Sequence, residues 1–100
     1  MFGAIKSMFG GSNDDLPKLT FDLERSMEAN LSDPRSGDQV VSLATRIRTL
    51  MFNSKIETND KIRVLSLLNR AKVRALSHGT TDSYRVFAAL DSISGDLFRL

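Results

Sequence analysis

Six apolar residues recur at helical spacing between positions 40 and 51, and no other feature of the chain narrows its fold so far. Val40, Leu43, Ala44, Ile47, Leu50 and Met51 stand at i, i+3, i+4, i+7, i+10 and i+11. On a helix they form one stripe, whereas on a strand they would scatter over both faces. Ser36 and Gln39 precede the stripe as a Ser-x-x-Gln capping box, and Asn53 and Ser54 close it. The spacing predicts a helix over 37–53.

The same periodicity appears three more times. Leu16, Leu19, Leu23 and Met27, with Pro17 suited to a first helical turn, predict a helix over 17–30. Leu19, Phe21 and Leu23 also alternate as a strand would, but the helix formers from Glu24 to Asn30 decide for helix. Thr58 or Asn59 can cap a third helix, 59–77, with Asp60 in its first turn. Its apolar positions are Ile62, Val64, Leu65, Leu68, Ala71, Ala75 and Leu76, and Gly79 suits the left-handed position that ends it. Thr80 or Thr81 opens a fourth over 82–94, carrying Val86, Phe87, Leu90 and Ile93. Ser94-Gly95 reads as its stop, although Leu97 would continue the stripe.

The expectation is an all-α chain, a small four-helix bundle with a flexible N-terminal tail. The breaker cluster Gly10-Gly11-Ser12-Asn13-Asp14-Asp15 sets the boundary between a tail, 1–15, and a helical domain, 16–100. A body of that size buries roughly 60–65% of its unfolded surface. One core fits within it, but not a deep substrate cavity as well.

Several chemistries lack their residues. With no cysteine in 100 residues, disulfide frameworks, thiolate zinc sites and cysteine nucleophiles are excluded. His78 is the only histidine, so a hydrolase triad or imidazole metal site would have to rest on it alone. Gly10-Gly11 lacks the Lys-Ser/Thr that completes a phosphate loop, and Asp14-Asp15 is not a calcium loop. The expectation is therefore a non-enzymatic protein with no metal and no cofactor. No apolar run reaches the roughly 18–20 residues of a membrane span, no signal-peptide layout is visible, and the expected location is intracellular.

Charge is segregated. From Arg46 to Arg74 there are eight basic residues against Glu57 and Asp60, a local balance of +6 inside a net charge of +2. At 100° per residue, Arg63, Arg70 and Arg74 fall within about 20° of one line on the third helix. No acidic residue shares that line, and Leu67 borders it. Arg46 and Arg48 lie on the second helix and Lys55 in the following loop. If helices two and three pack antiparallel, these residues join Lys72 in one surface suited to phosphate groups. Arg46, Arg48, Lys55, Arg63, Arg70, Lys72 and Arg74 are thus the candidate nucleic-acid-binding residues.

The plainer reading of that line is a solvated face, or pairing with the acidic first helix. Among partners, a duplex phosphate backbone read by shape is the leading specific candidate, with an acidic protein next. The alternative function is a protein–protein adaptor or assembly factor that uses an apolar helix groove and the N-terminal tail. Lys61 and Lys72 project among Leu65, Leu68 and Ala75, so they snorkel to the rim or that side of the helix is open, which would suit a homodimer. Met1, Phe2, Ile5, Met8 and Phe9 form an apolar face beside Lys6. A flexible or partner-docked tail is favoured over membrane contact through Phe2, Ile5 and Phe9, because one Lys attracts anionic lipid weakly.

Overall fold

The computed structural model describes residues 15–100 as four helices: α1, Leu16–Ser26; α2, Pro34–Asn53; α3, Thr58–His78; and α4, Thr81–Phe98. The expected tail, 1–15, therefore lies outside the described residues except for Asp15, which belongs to the start of the first helix. The fold is the expected all-α, four-helix arrangement, and its helix ends differ from the expected ones for physical reasons that can be traced.

Helix α1 starts where Asp15 accepts a hydrogen bond from the Lys18 backbone N–H at 2.8 Å. It ends at Ser26, four residues before the expected 30. A longer helix would need the Met27 and Glu28 carbonyls for the N–H groups of residues 31 and 32. Arg74 on α3 takes both carbonyls instead, through its Nε and its Nη2. The Ser32 N–H turns to the Asn30 side chain at 3.0 Å, and Leu31, placed in the loop, is fully buried.

Helix α2 begins three residues before the expected 37. Pro34 presets the first helical φ, and Asp33 caps the turn by accepting from the Arg35 N–H at 3.0 Å. The expected Ser36–Gln39 box is accordingly replaced by an earlier cap. Helix α3 starts at Thr58 behind Glu57, which makes no side-chain cap bond, and stops at Gly79 with φ 68°. Helix α4 opens with a reciprocal capping box between Thr80 and Ser83. It runs through Gly95 to Phe98 rather than stopping at 94. A helical glycine costs about 1 kcal/mol relative to alanine. Burying Leu97 completely offsets that with about 1.5–3 kcal/mol.

Helices α1 and α2 form one antiparallel hairpin and α3 and α4 another. The strongest packing is α3 on α4, then α2 on α4 and α1 on α2, with α1 resting more lightly on α3. Consecutive helices α2 and α3 are not packing neighbours; they lie across the bundle from each other. The condition under which the basic residues of α2 and α3 would share one surface is therefore not met. The core is Leu19, Leu23, Met27 and Leu31 from the first hairpin's turn side, with Val40, Ile47 and Met51, facing Val64, Leu68, Leu90 and Leu97. Close approach of α2 and α4 depends on Gly37, where a Cβ would sit 2.7 Å from the Val86 Cγ2.

Candidate functional site

The seven candidate basic residues do not assemble into one face. Because α2 and α3 are diagonal, Arg46 and Arg48 are carried away from the α3 arginines. Arg48 turns to α4 and pairs with Asp96 at 3.0 Å. Arg46 lines a shallow groove against α1, with Asp22, Arg25 and Gln39. Lys72 reaches along α3 to Asp91 of α4 at 3.2 Å, with only 18% of its side chain exposed. This is the snorkelling geometry expected of a lysine at the edge of an apolar arc. Lys61, also at that edge, places its ammonium 6.0 Å from the Phe98 ring centre.

The three-arginine line of α3 is real as geometry and faces α1. Arg70 pairs with Glu24 at 3.3 Å, both side chains half exposed. Arg74 donates to the Met27 and Glu28 carbonyls at the end of α1, where a cation also opposes the negative end of the helix dipole. Arg63 stands beside Leu16, Pro17, Thr20 and Asp60 at the start of α1. Among the described residues, Arg63 and Lys55 are the two of the seven with neither an ion pair nor a hydrogen bond from the side chain. Leu67, bordering the line, is buried because that edge of the helix is covered by α1. Pairing with the acidic first helix thus accounts for Arg70, and carbonyl capping for Arg74.

A second stripe on α3 was not assembled by sequence reasoning. The buried arc of this helix runs through Val64, Leu67, Leu68, Ala71 and Ala75. On the opposite side, Ile62, Leu65, Asn69, Val73 and Leu76 follow at spacings of three and four residues. At 100° per residue they stay within about 40° of one line. Ile62 is 59% exposed, Val73 60% and Leu76 45%. Asn69 is exposed and Leu65 half-buried. Lys61 and Lys72 border this stripe on the α4 side, and Arg63 and Arg70 on the α1 side. The pattern is that of a helix with a core seam and a weaker outer seam, the outer one between two basic edges. Ile62, Leu65 and Leu76 stand in the sequence among the apolar positions that predict this helix, and periodicity alone does not separate them from the buried arc.

At its N-terminal end the outer stripe meets an open groove of about 500 Å³ between α3 and α4, lined by Leu65, Lys72, Asp91, Ser94, Gly95 and Phe98. Phe98 is 72% exposed. The antiparallel packing of α3 and α4 brings the end of one beside the start of the other.

His78 closes α3 with its Nε2 buried and without a hydrogen-bond partner, and the Ser94 hydroxyl is likewise unpaired. Among the described residues no group of His, Asp and Glu is arranged to hold a metal ion. No helix among them is long and apolar enough to cross a membrane. Comparison with family models, curated proteins and solved structures finds no match to this chain.

Proposed function

We propose that this protein is a non-enzymatic binding module that captures an acidic amphipathic helix along the outward face of α3. One observation carries the reading: Ile62, Val73 and Leu76, all exposed, lie on one line with Leu65 and Asn69, between Lys61 and Lys72 on one side and Arg63 and Arg70 on the other. Scattered exposed apolar residues are ordinary on a protein surface. A helical stripe of them, with basic residues of α3 along both edges, of which Lys72 and Arg70 already pair with Asp91 and Glu24, fits the apolar face of a partner helix whose flanks carry Glu or Asp. Asn69 in mid-stripe fits register selection, the role a single polar residue plays in helix seams.

The test is a fluorescence-polarisation titration with a twenty-residue helical peptide that has Leu at i, i+3 and i+4 positions and Glu on its flanks. Saturable binding weakened by Val73→Glu supports the reading. Absence of saturation, or binding indifferent to Val73→Glu and Ile62→Asp, overturns it.

Phosphate-backbone contact is the second reading, and Arg63 and Lys55, the two of the seven candidates without an ion pair or hydrogen bond from the side chain, favour it. It requires affinity for duplex RNA or DNA that falls steeply with salt and weakens in Arg63→Ala. Light scattering on the same samples covers the homodimer: a mass of two chains that reverts to one in Val73→Glu would assign the stripe to a second copy.

A further inference from the structure

We propose that the groove between α1 and α3 binds a small organic phosphate through its monoester dianion, held by Arg63, Ser66 and Arg70. The groove lies on the α1 side of the outer stripe, and the inference does not depend on capture of a helix there. Its volume is about 320 Å³, with Thr20 and Glu24 on the α1 wall and Ile62, Arg63, Ser66 and Arg70 on the α3 wall. That is the lower end of the range for small-ligand sites, about 300–1,000 Å³. The donors come from α3, because the Thr20 hydroxyl is directed to the Leu16 and Pro17 carbonyls of its own helix, at 2.9 and 3.0 Å. Ser66 is exposed, and the Arg63 side chain makes neither an ion pair nor a hydrogen bond among the described residues. Arg70 spends one contact on Glu24, Nη1 to Oε2 at 3.3 Å, with both side chains half exposed.

Spacing makes the donors converge. Arg63 stands three residues before Ser66 and Arg70 four after it, the separations at which helix side chains meet. About 10.5 Å of helix axis separates the two arginines, so their guanidinium groups close over the Ser66 hydroxyl from either side. An oxyanion placed there receives two planar forks and one hydroxyl donor. Glu24 decides which oxyanion this is. It already offers Arg70 one negative charge, through an exposed pair of a kind that contributes little to stability. A phosphodiester, also singly charged, gains nothing by that exchange. A monoester carries about −1.5 to −2 at pH 7 and three acceptor oxygens, so it engages Arg63 and Arg70 together and displaces the carboxylate. Its ester group then rests on Ile62, which is 59% exposed at the mouth of the groove. The site therefore discriminates against a nucleic-acid backbone, whose internal phosphates are diesters.

The experiment titrates phenyl phosphate into the isotopically labelled full chain at pH 7.5 and follows amide shifts. Saturable shifts at Glu24, Ile62, Arg63, Ser66 and Arg70 are expected. Arg63→Met should weaken binding about tenfold, through loss of a charged hydrogen bond. Glu24→Gln, which removes the competing charge, should tighten it about three- to fivefold. Both substitutions are at exposed positions, and circular dichroism checks that the fold is kept. Methyl phenyl phosphate, the diester with the same ring, should bind at least about tenfold more weakly. Inorganic phosphate, the other source of the dianion, should bind about fivefold more weakly because it leaves Ile62 uncovered. Absence of saturation overturns the inference. So does a diester or inorganic phosphate that matches phenyl phosphate, or a Glu24→Gln protein that binds no tighter. A chain that captures the helical peptide but ignores phenyl phosphate loses this inference alone, and one that binds only phenyl phosphate loses only the capture reading.

Discussion

Replacing Arg74 by Met separates a structural arginine from a free one. The methionine keeps most of the apolar stem but removes the guanidinium that bonds the Met27 and Glu28 carbonyls. A hydrogen bond involving a charged group contributes about 1.5–3 kcal/mol net. A cation at a helix C-terminus adds about 0.3–1 kcal/mol. Arg74 is half-buried, so water replaces part of what is lost, and the expected cost is about 2–3 kcal/mol. For a domain of this size each kcal/mol moves Tm by about 4–8 °C, which places the fall near 10–20 °C. Arg63→Met, about three turns away on the same line but without a partner, should change stability by no more than about 0.5 kcal/mol. Arg74→Lys should fall between, since an ammonium retains the charge but not the two-pronged geometry. Thermal and urea denaturation followed by circular dichroism measure all three. Equal effects of Arg74→Met and Arg63→Met, or a neutral Arg74→Met, would refute the capping role and with it the explanation of why α1 stops at Ser26.

Three further substitutions probe the packing. Leu31→Ala, although in a loop, should cost about 2–5 kcal/mol in urea denaturation, as in any helix core, because Leu31 is fully buried; a loss under 1 kcal/mol would contradict that burial. Gly37→Val should destabilise by about 1–3 kcal/mol through overpacking, since its Cβ would already meet Val86 at 2.7 Å. Leu97→Ala should cost about 2–5 kcal/mol and raise amide exchange selectively over residues 95–98, the turn that its burial holds.

What could be read from the chain and what could not divides along a physical line. Helical periodicity reports a residue's own face, so the stripe of α2 and its buried Val40, Leu43, Ala44, Ile47 and Met51 were legible. Helix ends were legible where the signal is local, as with Gly79 and Thr80. They were not where a distant group decides: α1 stops because α3 supplies Arg74, and α4 continues because Leu97 finds the core. The arginine line on α3 was also legible as a line. Its direction was not, since that depends on which helices are neighbours, and consecutive helices need not pack together. Only a packed α2–α3 pair would join the seven basic residues, which the fold distributes over the α1–α3, α2–α4, α3–α4 and α1–α2 edges and the loop after α2. The outer stripe was missed for a related reason. A helix bearing apolar residues over more than half its girth has no unique core face until its neighbours are known.

On the proposed function, a partner binds the outward stripe of α3 and not the arginine line. Amide chemical-shift mapping with the Leu/Glu helical peptide tests it most directly. Covering three side chains that are about half exposed is worth roughly 1 kcal/mol each at 1.5–3 kcal/mol per full burial, so the burial lost in Val73→Glu should weaken binding by about fivefold. The account predicts shifts confined to Ile62, Leu65, Asn69, Val73, Leu76 and their immediate neighbours. Shifts centred instead on Glu24, Arg63, Arg70 and Arg74, with the outer stripe unmoved, would contradict it.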